Sequence, residues 1–414
     1  MSNQKLKLIP REDYIFNLKS FLDKPIIKVL VGMRRTGKSS LMRLIISYLI
    51  DTGVDEQNII YINKESLEFD FIKTYEDLYK YVKENFKNIS GKKYLFIDEV
   101  QEIEYWEKAV NSFLAENIAD IIISGSNARI ISSELASLLS GRFVEIPVYS
   151  LTFREFLKFR NNYSDIEEEF KNYIKYGGLP GIHFFDFNDE VVFTYLNSIL
   201  NTILYKDILL KFNIRDTKTF DKIVRYVFDN IGSITTAKRI TDYFKSQRLK
   251  ISLDTVLNYV EFLERSLIID RVERYDLKGK KILEFYDKFY LNDIGLRNGL
   301  IGYRDNDISG LLENIVFNEL KARGYKVKIG VYRNYEIDFI AEKLKEKKYI
   351  QVCYLIKDDK TYERKFRSLE KIDDNYEKIV ISLDKFFPQE IKGIKHIYLL
   401  DFLLNLNSNP IPNL

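Results

Sequence analysis

One stretch, VLVGMRRTGKSS from Val29 to Ser40, constrains the fold more than any other part of the chain. An apolar run leads into two glycines, two arginines and a lysine, and the apolar helical pattern LMRLIISYLI follows at once. Gly32, Gly37, Lys38 and Ser39 have the spacing G-x-x-x-x-G-K-[ST]. Between a buried strand and a helix, this spacing is typical of a loop whose backbone N–H groups surround phosphates. The sequence therefore predicts a strand, a phosphate-binding loop and a helix, in that order.

The predicted nucleotide-binding residues all lie in this loop and in the first turn of the helix. They are Gly32, Arg35, Thr36, Gly37, Lys38, Ser39 and Ser40. We expect Lys38 to place its ammonium group against the β and γ phosphate oxygens, and Ser39 to offer its hydroxyl to Mg²⁺. ATP and Mg²⁺ are therefore the predicted cofactors. Arg34 and Arg35 have two alternative roles. They contact an adjacent subunit or a helical lid, or they are simply exposed to solvent.

Short β-rich runs alternate with helical runs from Ile26 to Val148. Strands are predicted at residues 26–31, 58–63, 93–98, 120–124 and 143–148. Near-continuous apolar strands separated by helices indicate an α/β fold with a parallel sheet covered on both faces.

Two acidic residues and one asparagine follow strands of this predicted sheet. YLFIDEV should end a strand that neighbours the strand of the phosphate loop, so that Asp98 holds hydrated Mg²⁺ and Glu99 polarises the attacking water. Asn127 follows the next strand, where it would orient that water or contact the γ-phosphate, or would only stabilise a turn.

Length and composition limit the remaining possibilities. A chain of 414 residues is expected to form two to four domains. No apolar run approaches the ~20 residues needed to cross a bilayer, and no signal segment is evident, so we expect a cytoplasmic protein without membrane contact. A single cysteine excludes internal disulfides, and two histidines are too few for a Cys/His zinc site. The net charge of +3 is nearly balanced, so any nucleic-acid surface must be local.

The motifs GMRRTGKS, FIDEVQ, SGSNA, LLSGRF, LTFREF and YGGLPG occur in this order and together carry a family resemblance. The chain resembles prokaryotic AAA-type P-loop ATPases whose C-terminal region is similar to a winged helix followed by a restriction-endonuclease-like fold. The resemblance implies that Asn127 is a sensor residue. It also implies that Arg142 is an arginine finger acting on a neighbouring subunit of a homo-oligomer, the alternative being a surface arginine that caps a helix end.

The resemblance also suggests four domains. They are an ATPase core at residues 1–150, a helical lid at 151–215, a winged-helix-like module at 216–290 and a nuclease-like α/β domain at 291–414. No second sensor arginine is evident in the lid.

The winged-helix candidate carries a local positive charge. Residues 215–281 contain 15 Lys and Arg against 10 Asp and Glu. Its second helix should bury an apolar stripe and expose an acidic face. The stripe is Leu253, Val256, Leu257, Val260 and Leu263, and the exposed face carries Asp254, Asn258 and Glu261. The basic residues preceding this helix are Lys238, Arg239, Lys245, Arg248 and Lys250, and those at the wing tip are Lys278, Lys280 and Lys281. Contact with DNA and docking of a protein are both open for this module.

The nuclease-like region departs from the pattern that active nucleases need. In restriction-type enzymes an acid on one strand and an acid-x-Lys on the next hold a divalent metal. The resemblance assigns these positions to Glu313, Asp338, Gln351 and Cys353, with Glu336 as a further acid beside Asp338. A neutral amide is a weak Mg²⁺ ligand and a cysteine cannot supply a lysine's charge, so we expect no nuclease activity.

Two functions therefore remain in competition. The preferred prediction is an Mg²⁺-dependent ATPase whose nucleotide state controls binding to DNA. The alternative is a nucleotide-gated switch or scaffold that binds a protein partner, turns over slowly and does not bind DNA.

Overall fold

The structure is a computed structural model that describes residues 8–126, 139, 141–356 and 359–405. Asn127, the predicted sensor, lies outside the described residues. The chain divides into two compact units, one of residues 1–148 with 265–267 and one of residues 149–264 with 268–414. Within the described part of the chain, every helix is too short or too polar to cross a membrane.

The first unit contains a five-stranded parallel sheet. Its strands are β1 (Ile27–Val31), β2 (Ile59–Asn63), β3 (Tyr94–Asp98), β4 (Asp120–Gly125) and β5 (Phe143–Pro147). Its longer helices are α1 (Glu12–Lys19), α2 (Lys38–Asp51), α3 (Tyr75–Asn85) and α4 (Trp106–Ala115). The strand order is β2-β3-β4-β1-β5, and every neighbouring pair is parallel. The predicted parallel α/β core is confirmed.

Strands β1 and β3 are completely buried and β4 is nearly so, because both faces of the sheet are covered. In β1, Ile27, Val29 and Val31 join the core that includes side chains of α3 and α4, whereas Leu30 joins the core that includes side chains of α1 and α2. Complete burial of one such side chain stabilises the fold by roughly 1.5–3 kcal/mol. The two cores therefore fix β1 in register, and with β1 they fix the start of the loop that follows it.

The structure corrects one expectation about this sheet. The strand that ends at Asp98 was predicted to neighbour the strand of the phosphate loop, but β4 lies between β1 and β3. A neighbouring position is not required, because the carboxyl ends of parallel strands all meet at one edge of the sheet.

The second unit combines helices with a nine-stranded mixed sheet. The helices are α5 (Phe153–Arg160), α6 (Ile166–Tyr176), α7 (Asp189–Thr202), α8 (Thr217–Asp229), α9 (Ala237–Ser246), α10 (Leu253–Arg265), α11 (Ile294–Ile301), α12 (Ile308–Ala322), α13 (Asp359–Tyr362), α14 (Ser368–Glu370) and α15 (Leu399–Leu404). The strands are β6 (Ile234–Thr235), β7 (Ile269–Asp276), β8 (Lys281–Leu291), β9 (Lys326–Tyr332), β10 (Tyr335–Lys343), β11 (Glu346–Val352), β12 (Glu377–Ser382), β13 (Glu390–Ile391) and β14 (Ile394–Tyr398). Their order is β13-β14-β12-β11-β10-β9-β7-β8-β6.

The structure of this unit differs from the sequence-based predictions at two points, the limit at residue 290 and the apolar stripe of α10. The predicted domain limit at residue 290 falls inside β8, and because β7 pairs with both β8 and β9, the strands on either side of the limit share one sheet. The predicted apolar stripe of α10 is narrower than expected. Val256, Val260 and Leu263 are buried, but Leu253 and Leu257 are 44% and 45% exposed.

The YGGLPG motif forms a closely packed turn after α6. The backbone N–H of Gly178 donates to Oδ2 of Asp293 at 2.8 Å, and the N–H of Gly295 donates to Oδ1 of the same carboxylate at 2.9 Å. Burial raises the pKa of Asp293 to about 6, although these amide donors oppose the shift. A Cβ atom on Gly178 would lie 2.4 Å from the carbonyl oxygen of Leu151. Only glycine therefore fits at this position.

We predict that Gly178→Ala destabilises the protein by about 1–3 kcal/mol, because the added methyl group meets fixed backbone. Thermal or urea unfolding measures the loss. Gly310→Ala is the matched control, since a Cβ there would lie 3.4 Å from its nearest neighbour and alanine favours the helix. Equal stability of the two variants would contradict the packing of this turn.

Candidate functional site

The loop between β1 and α2 is shaped by two glycines. A Cβ atom on Gly32 would lie 2.2 Å from the carbonyl oxygen of Val148, so a larger residue would push the loop off the end of β5. Gly37 has φ 99° and ψ 21°, in the left-handed region, and it caps α2, which begins at Lys38. The first amides of a helix have no partner within the helix and lie at the positive end of its dipole. The loop can therefore present N–H groups to an anion.

The carbonyl groups of the same loop are held by cationic side chains. Nζ of Lys38 donates to the carbonyl oxygens of Gly32 at 2.9 Å and Met33 at 3.2 Å. Nη1 of Arg11 donates to the carbonyl oxygen of Thr36 at 3.1 Å. In a trans peptide the C=O and the following N–H point in opposite directions. These contacts therefore fix the peptide groups that follow Gly32, Met33 and Thr36.

Asp98 lies at the carboxyl end of β3 and is 2% exposed. Its Oδ2 atom accepts from the hydroxyl of Tyr61 at 3.1 Å, and its Oδ1 atom accepts from the hydroxyl of Ser124. Burial, together with the adjacent Asp98 carboxylate, raises the pKa of Tyr61 to about 12, so this hydroxyl remains a donor. A carboxylate whose oxygens are already hydrogen-bonded suits a hydrated Mg²⁺, which it holds through water.

Glu99 turns away from the strand in the left-handed conformation, with φ 55° and ψ 53°. Its Oε2 atom accepts from the hydroxyl of Ser126 at 2.9 Å and from the side-chain amide of Gln101. Its Oε1 atom lies 3.8 Å from Nζ of Lys38. The predicted general base and the predicted phosphate-binding lysine are thus brought into one site.

The other predicted loop residues differ in exposure. Thr36 is buried, and its hydroxyl donates to the carbonyl oxygen of Met33 at 2.9 Å, so its side chain supports the loop from inside. Ser39 is half-buried, whereas Arg35 and Ser40 are exposed.

The two loop arginines have different environments. Arg34 donates to Oε1 of Glu65 at 3.1 Å, and Arg35 has a positive φ of 69°. Arg34 therefore pairs with an acidic residue of the same unit, whereas Arg35 is exposed to solvent.

Arg142 is exposed and lies at the opposite edge of the sheet from the loop. Its carbonyl oxygen accepts from the N–H of Ile27, the first residue of β1, at 3.0 Å, whereas the loop follows the last residue of β1. A five-residue strand spans roughly 16 Å at about 3.3 Å per residue. Arg142 therefore cannot reach the nucleotide site of its own subunit.

Several residues of this site have no signal in the sequence that would have identified them. Arg11, Tyr61, Ser124 and Ser126 were not predicted, and they come from three separate parts of the chain. Both serines belong to the SGSNA motif, whose position at a strand end was the one available hint.

The nuclease-like positions form a second polar cluster, in the other unit. Asp338 is 3% exposed, and its Oδ2 atom accepts from the N–H of Val352 at 2.7 Å and from Nζ of Lys365. Nζ of Lys365 also donates to Oε1 of Gln351 at 3.2 Å. The sequence pattern placed Cys353 where a lysine was required, but the structure supplies a lysine from 27 residues beyond Asp338. The expectation that this cluster lacks its cation is wrong.

Glu313 faces the same cluster from α12. Its Oε1 atom lies 2.9 Å from Nζ of Lys288 and accepts from the hydroxyl of Tyr290 at 2.6 Å. Nζ of Lys288 also lies 2.8 Å from Oε1 of Glu336. Burial raises the pKa of Glu313. Burial would also raise the pKa of Asp338, but the charges of Lys365 and Lys288 hold it below its ordinary value, so this carboxylate is ionised at neutral pH.

No group of three or more His, Cys, Asp or Glu suited to a metal ion occurs among the residues that the structure describes. Mg²⁺ needs less from a protein, because one or two carboxylates with water and phosphate oxygens complete its coordination.

Two family models match separate segments of the chain. A family model described as an AAA domain matches residues 24–157. A model for a domain of unknown function matches residues 167–307.

Two relatives match nearly the whole chain. An uncharacterised protein of Haemophilus influenzae is 38% identical over 400 residues, covering 96% of this chain and 99% of the relative. An uncharacterised protein of Methanocaldococcus jannaschii is 31% identical over 407 residues, covering 93% of this chain and 88% of the relative. Among solved structures, a variant of RuvB from Thermotoga maritima is 17% identical and covers 67% of this chain and 93% of its own, with a TM-score of 0.32.

Proposed function

The chain belongs to a family of AAA-domain proteins that includes the Haemophilus influenzae and Methanocaldococcus jannaschii relatives, and from this premise we propose that it is an Mg²⁺-dependent ATPase. The main support is the convergence of Lys38, Asp98 and Glu99 beside a loop that ends at the left-handed Gly37 and the first turn of α2. The loop amides and Lys38 bind the phosphates. Ser39 and Asp98 hold Mg²⁺, which supplies charge neutralisation when it is bound.

In the same proposal Glu99 accepts a proton from the attacking water. In the structure its carboxylate is engaged by Ser126, Gln101 and Lys38, so these interactions must loosen before it can act as a base. Binding of phosphate would draw Lys38 away from Glu99, because the γ-phosphate competes for the same ammonium group.

We predict that Lys38→Ala abolishes nucleotide binding, and that Glu99→Gln retains binding but lowers turnover about 10²- to 10⁴-fold. Calorimetry with MgATP and a phosphate-release assay measure the two effects. Lys92→Ala and Glu102→Gln are controls, since both residues are exposed on the same unit. Normal ATP hydrolysis by the Lys38→Ala protein would contradict the proposed ATPase site.

Arg142 is proposed as an arginine finger that acts between subunits of a homo-oligomer. Its support is its exposure at the sheet edge opposite to the loop, where it can serve a neighbouring subunit. Such a finger stabilises transition-state charge and is worth about 10³- to 10⁵-fold in rate.

We predict that Arg142→Ala and Glu99→Gln proteins are each nearly inactive alone and regain part of the activity when mixed. In a mixed assembly, the intact Arg142 of one subunit serves the intact Glu99 of another. A phosphate-release assay across mixing ratios measures this. A linear sum of the two separate activities would contradict a role between subunits.

We further propose that the nucleotide state of the ATPase controls binding to DNA. Residues 217–291 form the order α8-β6-α9-α10-β7-β8, in which three helices lead into a hairpin, and this order supports the winged-helix assignment. With this assignment we keep the proposed domain limits at residues 150, 215 and 290. The winged-helix-like module and the nuclease-like domain share one sheet. Exposed basic residues support contact with phosphates. They are Lys238, Arg239, Lys245, Arg248, Lys250, Lys278, Lys280 and Lys281.

We predict that duplex DNA stimulates hydrolysis and that its binding weakens steeply as salt rises. Replacing Lys278, Lys280 and Lys281 by alanine should lower the log–log salt slope by up to about 0.9 for each phosphate that the protein no longer neutralises. Fluorescence anisotropy at several salt concentrations measures the slope. A triple change of the exposed Lys345, Lys371 and Lys392 is the control.

Absence of both effects would instead favour the second candidate, a nucleotide-gated protein switch. The partly exposed Leu253 and Leu257 on α10 support that alternative, because apolar side chains beside acidic ones suit a protein surface better than phosphates.

A further inference from the structure

A small cavity in the second unit lies apart from both polar clusters described above. The cavity has a volume of about 20 Å³, and Ser150, Asp293 and Glu319 are among the residues that line it. They come from three separate places in the chain, the segment that follows β5, the turn before α11 and the helix α12. A cavity of roughly 10–15 Å³ already holds one water molecule. There is therefore room for one particle of about that size.

Glu319 is the acid of this cavity whose pairing is incomplete. It is 6% exposed, and its Oε1 atom accepts from Nε of Arg323 at 2.7 Å. Its Oε2 atom is buried and has no hydrogen-bond partner among the residues that the structure describes. Oγ of Ser150 is likewise buried and forms no hydrogen bond of normal length in that part of the chain. Buried polar atoms are nearly always satisfied in native proteins, so two such atoms around one cavity indicate a ligand.

Asp293 brings a second negative charge to the same cavity. It is 2% exposed, and the N–H groups of Gly178 and Gly295 donate to its two oxygens at 2.8 and 2.9 Å. Burial raises the pKa of Asp293, and the groups that most oppose this rise are neutral, namely these amides and the nearby hydroxyl of Ser150. Each carboxylate oxygen has two lone pairs, so both oxygens can accept a further ligand.

The charges around the cavity favour a cation over a water molecule. The charge of Glu319 is paired with Arg323, whereas the donors to Asp293 are neutral. A water molecule would satisfy Oε2 of Glu319 but would leave the buried charge of Asp293 uncompensated, which is costly. A hydrated Mg²⁺ is larger than this cavity, because Mg²⁺ usually keeps several of its waters. A dehydrated monovalent cation meets both requirements.

We propose that Asp293, Glu319 and Ser150 hold one dehydrated K⁺ in this cavity, where the ion joins the segment after β5 to α12 and to the turn before α11. K⁺ is close to a water molecule in size, and in potassium channels backbone carbonyl oxygens replace its hydration shell. Here the two carboxylates supply the charge, and the hydroxyl of Ser150 is a neutral ligand. The site lies within the second unit and does not depend on the proposed ATPase function.

The first experiment measures thermal unfolding of the nucleotide-free full chain in KCl, in NaCl and in choline chloride at equal ionic strength. K⁺ should raise the melting temperature by about 2–4 °C over choline, because a ligand that binds only the folded chain stabilises it by mass action. The rise should saturate with the K⁺ concentration. NaCl should give a smaller rise, because Na⁺ is smaller than the cavity.

Two variants connect this effect to the cavity. Glu319→Gln should raise the half-saturating K⁺ concentration at least tenfold, because it removes the charge of one ligand. Glu169→Gln is the matched control, since Glu169 is another buried, arginine-paired glutamate of the same unit and lies outside the cavity. It should leave the half-saturating concentration unchanged.

The second experiment locates the ion. Crystals of the full chain grown with Rb⁺ in place of K⁺ should show an anomalous scattering peak in the cavity, next to Glu319 and Asp293. Crystals of the Glu319→Gln protein grown in the same way should lose this peak, whereas those of the Glu169→Gln protein should keep it.

Several results would overturn the proposal. One is the same melting temperature in K⁺ and in choline, and another is a K⁺ effect that Glu319→Gln leaves unchanged. A cavity without anomalous signal in Rb⁺ crystals would identify its content as water, and a rise in NaCl as large as that in KCl would contradict a site for K⁺. If Glu319→Gln does not fold, Ser150→Ala takes its place, and loss of this neutral ligand should raise the half-saturating K⁺ concentration at least about threefold.

Discussion

The orientation of a few peptide groups is the constraint on which the nucleotide site depends. Lys38 holds the carbonyl groups of Gly32 and Met33, and Arg11 holds that of Thr36, so the peptide groups of the loop are fixed by side chains of the same unit. An isolated loop would sample many orientations of these groups, and fixing each residue costs about 1–2 kcal/mol of conformational entropy. The folded unit meets this cost before any ligand arrives, because β1 is packed on both faces and α2 is anchored at its start.

The parallel sheet brings together polar side chains from distant segments of the chain. Lys38 follows β1, Glu99 follows β3 and Ser126 follows β4, yet the three side chains interact because these strands end at the same edge. Burial around them removes competing water, so each charge interacts more strongly than it would at the surface. The same architecture puts Arg142 beside the first residue of β1, at the edge of the sheet opposite to the loop.

In the second unit, polar side chains from distant segments meet without a parallel sheet. Its cluster is assembled from antiparallel strands, a long helix and a π-helical turn, and its charges are paired in two separate contacts, Asp338 with Lys365 and Glu313 with Lys288. Both carboxylates also line a cavity of about 710 Å³.

Sequence alone determined the parts of this protein whose signals are local. The glycine and lysine spacing, the alternation of apolar strands with helices and the Asp98–Glu99 pair are contiguous patterns, because strand period, helix period and tight turns each depend on nearby residues. Tertiary structure alone decided which distant residues meet. Arg11 beneath the loop, Tyr61 against Asp98 and Lys365 against Asp338 carry no spacing signal, and the insertion of β4 between β1 and β3 could not be read from strand order along the chain. Such contacts depend on how whole elements pack, and no short stretch of sequence contains that information.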